Sequence, residues 1–166
     1  MTDTIDTHGP GPTGDLFPDD RLATTDALLE ADAMVAAVID KLAVEPAGLD
    51  PATADLLVRL SKSAACGIRG VEIGEECQMT ATRVSRLLDR AEADGLVMRT
   101  PDPTDRRAQH VVLTDEGRAA ARRLAPLMDE VLEEVVFQTL SAEERATLVG
   151  LLARLRDRAG ELLAKS

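Results

Sequence analysis

TRVSRLLDRAEADGLVMRTPDPTDRRAQHVVLTDEG, residues 82–117, changes its period half-way along. The first part carries apolar residues at helical spacing. The second holds two short β-prone runs, LVMRT (96–100) and QHVVLT (109–114), around PDPTDRRA, whose prolines and aspartates favour a loop. The reading is a helix over 81–94, with Thr80 as N-cap and Gly95 just past its end. A two-stranded hairpin with Arg106 and Arg107 at its tip follows.

On a helical projection of about 100° per residue, Val84, Leu87, Leu88 and Ala91 gather on one side and must face a core. Arg83, Arg86 and Arg90 form a stripe beside them, with Thr82 adjacent, and Ser85, Asp89 and Glu92 occupy the opposite flank. One explanation of such a stripe is a solvated face with intrahelical pairs, Arg86–Asp89 and Arg90–Asp94. The hairpin favours another. Arginines on a loop beside such a helix are placed to reach a minor groove while the helix reads the major one. A carboxylate at Asp105 is placed to orient one of the two tip guanidiniums.

Working outward, GVEIGEEC (70–77) reads as a short helix after a turn marked by Gly67 and Gly70. Asp50 caps a helix over 51–64 with Pro51 in its first turn, turning Leu56, Leu57 and Leu60 inward. An earlier helix over 20–44 has Leu28, Val35, Ile39 and Leu42 on one face. Downstream, Thr114 caps a long helix to about 137. SAEE (141–144) is a capping box for a last helix to about 163. There Leu148, Leu152, Leu155, Ala159 and Leu162 alternate steps of four and three, a heptad seam.

The fold class is mainly α: about six helices and a β-hairpin wing. A short helix, a turn, a second helix and a hairpin are the layout of a winged helix-turn-helix, in which the second helix enters the major groove. Four segments follow. Residues 1–19, rich in Pro, Gly, Thr and Asp, read as a disordered acidic tail. Residues 20–50 form an N-terminal dimerisation helix and linker, 51–113 the winged DNA-binding domain, and 114–166 the C-terminal dimerisation helices. The apolar faces of 28–42 and 148–162 exceed what a small winged domain covers, so a second copy of the chain is the natural partner.

Composition sets the outer limits. The 166 residues are 45% hydrophobic with two Phe and no Trp or Tyr, a helix-forming mixture. No apolar run approaches a membrane span, and the first twenty residues lack a secretory pattern. Two cysteines make no disulfide framework, and a reducing cytoplasm is the expected compartment. The net charge of −11 argues against nucleic acid, but it is unevenly spread. Residues 1–57 hold 12 acids and two bases, whereas 78–110 hold six arginines and five acids. Remote carboxylates are largely screened beyond a Debye length of about 8 Å.

TRVSRLLDRAEADGLVMR (82–99) and DRRAQHVVLTDEG (105–117) resemble the MarR-type transcriptional regulators. The family pattern is a recognition helix, a Gly-Leu-Val lead into the wing, Asp-Arg-Arg at its tip and Leu-Thr-x-x-Gly opening the next helix. The chain has each in order. VEIGEECQMT (71–80) is similar to the preceding family helix more loosely, with Ile73-Gly74 for Leu-Ala, and LSAEERATLVGLLARL (140–155) resembles the last one. Ala91 stands where the family usually has Leu.

The resemblance implies a homodimer in which the first and last two helices intertwine and two winged lobes project. It also implies a small lipophilic or phenolic effector between dimer helices and lobe. Some family members sense thiol oxidation or metals instead. Here Cys66 and Cys77 read as small buried residues. Glu75 and Glu76 beside Cys77 would raise its pKa. His8 and His110 form no ligand cluster with cysteine, so no metal or other cofactor is expected, and His110 reads as a half-exposed strand residue.

The function read from all this is a cytoplasmic, sequence-specific DNA-binding regulator, a ligand-released repressor on a pseudo-palindromic operator. Thr80, Thr82, Arg83, Ser85 and Arg86 are the expected major-groove contacts. Arg106 and Arg107 are expected on the wing, with Asp105 placed to orient one of them, and Arg90 and Arg99 as phosphate contacts, Arg90 being open to a structural role. Leu28, Val35, Ile39, Leu42, Leu148, Leu152, Leu155 and Leu162 are the expected dimer contacts. The alternative is a winged-helix interaction module without DNA binding, which the acidic charge favours. An enzyme is not expected, because no nucleophile elbow, Walker loop or HExxH occurs.

Overall fold

Four of the helices begin where a side chain accepts an orphaned N–H group of the first turn. The structure, a computed structural model, describes residues 19–63, 67–77, 79–102 and 109–165. The acidic tail up to residue 18, Cys66 and the wing tip with Asp105, Arg106 and Arg107 lie outside the described residues. The elements in order are α1 (Asp19–Ile39), α2 (Pro51–Lys62), β1 (Ile68–Arg69), α3 (Gly70–Glu76), α4 (Ala81–Ala93), β2 (Val97–Pro101), β3 (Gln109–Leu113), α5 (Asp115–Leu132) and α6 (Ala142–Leu163). α1 and α5 each run on into a wider π-type turn, Asp40–Val44 and Glu133–Phe137. The chain divides into two compact units, residues 1–37 and 38–166, with the division inside α1. Described side chains of the first unit are exposed, including Leu22, Leu28, Leu29 and Met34, except the half-buried Val35.

The caps read from the sequence are in place. Asp50 accepts the Thr53 N–H at 3.2 Å and the Thr53 hydroxyl at 2.6 Å. Thr80 accepts the Arg83 N–H at 3.4 Å, and Thr114 the Gly117 N–H at 3.0 Å. Ser141 and Glu144 exchange bonds in a capping box.

In the second unit, a core joins Leu56, Leu57 and Leu60 of α2, Ile73 of α3 and Val84, Leu87, Leu88 and Ala91 of α4. Ile68, Val97 and Val111 of the sheet, Leu96 before it and Ala120 of α5 complete it. Leu56, Leu57, Ile73 and Val97 are at most 2% exposed, each worth about 1.5–3 kcal/mol of transfer free energy. A second cluster holds Ala43, Val44, Ala54, Leu124 and Val131. Ile39, an expected dimer contact, is half-buried against that cluster, where the wide turn after it folds Ala43 and Val44 inward.

The hairpin gains a third strand that the sequence pattern did not reveal. The antiparallel order is β1–β3–β2, with Ile68 opposite Val111 and Arg69 opposite His110. β1 is two residues long, too short to show alternation. Thr114 closes the far end: its N–H reaches the Leu96 carbonyl at 3.1 Å and its hydroxyl the Gly95 carbonyl at 2.6 Å. α5 then starts hard against the sheet, where a Cβ on Gly117 would stand 1.9 Å from the Leu96 oxygen. Gly95, in the left-handed region at φ +72°, faces open space.

These two glycines separate backbone strain from steric conflict. Gly95→Ala is expected to cost about 1 kcal/mol, from the left-handed conformation alone. Gly117→Ala should cost at least about 2 kcal/mol, since backbone must move. Urea melts of the two variants check the order; equal losses would contradict the close approach.

Candidate nucleic-acid interface

Burial of Val84, Leu87, Leu88 and Ala91 decides which side of α4 remains outside. Thr82, Arg83, Ser85 and Arg86 are exposed on it, and Thr80 is exposed at its cap. Neither Arg83 nor Arg86 makes an ion pair with any described residue, so both guanidiniums are available to a ligand.

The other two expected arginines are engaged within the chain. Arg90 Nη2 lies 3.1 Å from Asp50 Oδ1, the cap of α2, rather than pairing with Asp94. Burial works against the Asp50 carboxylate, but the Thr53 bonds and the Arg90 charge outweigh it and hold its pKa below the ordinary value. Arg99 Nη2 lies 2.6 Å from Asp89 Oδ1 and its Nη1 bonds Glu92. Bonding to Asp89 raises the Arg99 pKa further. Asp89 thus pairs with Arg99 on the strand rather than with Arg86 on its own helix.

A group that sequence reasoning missed stands at the root of the wing. The Asp102 side chain is 3% exposed, and its Oδ2 accepts from Arg69 Nη2 at 2.5 Å, Arg69 Nε at 3.1 Å and His110 Nε2 at 2.8 Å. Arg69 is also the N-cap residue of α3, where Glu72 accepts its backbone N–H at 2.9 Å. One buried carboxylate therefore ties the end of β2 to the start of the helix-turn-helix. Its only sequence signal was an acid between two prolines. His110, expected half-exposed, has 16% of its side chain exposed.

Of the residues expected at a dimer contact, Leu28, Leu42, Leu148, Leu152, Leu155 and Leu162 are exposed. α6, 22 residues long, has no buried residue.

Residues 47–108 match the sequence profile of the MarR family. Over 107 residues the chain is 33% identical to the multiple antibiotic resistance protein MarR of Escherichia coli, spanning 64% of this chain and 74% of that protein. The chain belongs to the MarR family of transcriptional regulators. Among solved structures it is similar to Sco3205, a family member from Streptomyces coelicolor solved in complex with DNA. The TM-score is 0.76 and the identity 27%, over 85% of this chain and 89% of that one. It is also similar to CouR from Rhodococcus jostii bound to p-coumaroyl-CoA, with TM-score 0.66 and 25% identity over 77% and 90% of the two chains. The family is one of regulators, not of enzymes. Among the described residues of this MarR-family chain, no helix is long and apolar enough to cross a membrane.

Cys77 caps the C-terminus of α3, half-buried, with its thiol 3.3 Å from Asp55 Oδ2. Burial pushes the thiol up to about 11, Asp55 adds to this, Arg59 opposes it and Glu76 adds least. The direction matches the sequence reading, but the main carboxylate is Asp55 of α2 rather than the neighbouring glutamates.

A raised thiol pKa favours the protonated folded form. The stability it brings is full below the ordinary value of 9.0 and is lost as pH rises through about 11. At pH 8 the thiolate fraction is about 100-fold below that of an unperturbed thiol, so alkylation of Cys77 should be slowed by about that factor in the folded chain. Peptide mapping after iodoacetamide treatment, folded against urea-unfolded, reads this site separately from Cys66. Equal rates would contradict the half-buried Cys77–Asp55 contact.

Proposed function

We propose that this MarR-family chain is a cytoplasmic repressor that binds a pseudo-palindromic operator as a homodimer and is released by a small lipophilic or phenolic effector. The observation that carries DNA binding is the pair of exposed guanidiniums, Arg83 and Arg86, on the outer face of α4, unmatched by any described carboxylate. Residues 51–113 serve as the DNA-binding module. Thr80, Thr82, Arg83, Ser85 and Arg86 meet the major groove. Arg106 and Arg107, with Asp105 beside them, meet the minor groove. The DNA complex of Sco3205 supports the same reading.

Segments 20–50 and 114–166 supply the dimer contacts. The exposed leucines of α6 support this, because a soluble chain rarely leaves so continuous an apolar face uncovered. The effector is proposed to occupy a groove of about 470 Å³ between α2, β3 and α5. Leu60, Val112, Leu113 and Ala121 give it an apolar floor, and Arg118 and Arg122 stand at its side. The p-coumaroyl-CoA bound by CouR supports an effector of this general kind.

Selection from a random duplex pool tests the operator. Enrichment of a pseudo-palindrome with half-sites about 10 bp apart is expected, and no enrichment would leave the interaction module as the better reading. On the selected duplex, Arg83→Ala, Arg86→Ala, Arg106→Ala and Arg107→Ala should each weaken binding by about 1–3 kcal/mol. Only residues that touch phosphate alone should weaken scrambled duplex equally and lower the salt slope by about one.

The dimer has its own test. Replacing Leu152 and Leu155 together with Asp should abolish the dimer, since two charges would be buried without partners. Sedimentation velocity of the double variant checks this; an unchanged dimer would remove α6 from the interface.

A further inference from the structure

We propose that Arg99 is a positioning residue: it screens the acidic flank of α4 from DNA and fixes that helix on β2, without touching DNA itself. The inference rests on the reading that α4 faces the operator. Asp89 and Glu92 stand three residues apart on α4, on the flank beyond the arginine stripe. Their side chains are 63% and 41% exposed. Two like charges at this spacing repel each other, and both repel phosphate. Arg99, from β2, meets both acids at once, through Nη2 to Asp89 and Nη1 to Glu92, while its backbone N–H donates to Glu92 at 3.3 Å.

Two of the five N–H donors of the guanidinium are directed at these carboxylates, and the Arg99 side chain is only 23% exposed. A phosphate reaching Arg99 would also approach the two carboxylates that it bonds, and their charge opposes that contact. The group of three carries −1 where the two acids alone would carry −2. Arg83 and Arg86 therefore keep their charge for the ligand, since neither is drawn to Asp89. The same three bonds span the helix and the strand that leads into the wing, so they hold the two DNA-facing elements in one orientation.

The test is a double-mutant cycle on the selected duplex, with titrations at several salt concentrations. Its members are the full chain, Arg99→Gln, the paired substitution Asp89→Asn with Glu92→Gln, and all three together. Arg99→Gln should weaken binding about tenfold in the native background and less than about twofold in the neutralised one. The paired substitution alone should tighten binding. Arg99→Lys, which keeps the charge without the fork, should recover most of the affinity, and it stands in if Arg99→Gln melts below the assay temperature. Equal losses in both backgrounds, with the salt slope lower by about one, would make Arg99 a phosphate contact and overturn the proposal. A native chain that binds no duplex removes the operator reading and this proposal with it. That outcome shows in the native titration alone, before any variant is compared.

Discussion

Four side chains of α4, Val84, Leu87, Leu88 and Ala91, are buried against α2, α3 and the sheet, and the rest of the surface is arranged around that contact. A helix has only one orientation that buries such a stripe. Once it is taken, Arg83 and Arg86 must face outward and Asp89 and Glu92 must lie beside β2. α3 is too short to stand alone and packs through Ile73 onto the same core. β1 exists because the chain entering α3 passes close enough to β3 to pair with it.

Charge follows from this geometry more than from composition. The chain is strongly acidic overall, yet its exposed carboxylates do not simply cancel its arginines one by one along the sequence. Arg90 is spent on the cap of α2, Arg99 on the flank of α4 and Arg69 on the buried Asp102. What remains uncompensated among the described arginines of the helix is the pair in its first two turns. Net charge is a poor guide to such a protein because pairing is decided by which elements touch.

Local signals carried much of the fold. Caps at Asp50, Thr80, Thr114 and Ser141 were legible because each is a contact within four residues, and the core face of α4 because its period is regular. Contacts between distant residues were not. Arg69 and Asp102 are 33 positions apart, Arg90 and Asp50 40 apart, and no pattern in the chain announces either. The intrahelical pairs that one explanation gave Arg86 and Arg90 do not form, because Arg99 takes Asp89 and Arg90 turns to Asp50. The half-burial of Ile39 within its own chain was not legible for a related reason: its helical stripe is the same whether it meets another chain or the wide turn that follows it. Exposed Arg83 and Arg86 were legible, since they needed only the helix and its buried face.

The contact between Gly117 and the Leu96 carbonyl has a mechanical consequence. At Gly117 the helix meets backbone without a side chain of its own in between, so that turn has no compliant layer on which to roll. Thr114 adds two hydrogen bonds at the same corner. The first turn of α5 is therefore coupled to the root of β2, so that a displacement of one carries the other with it.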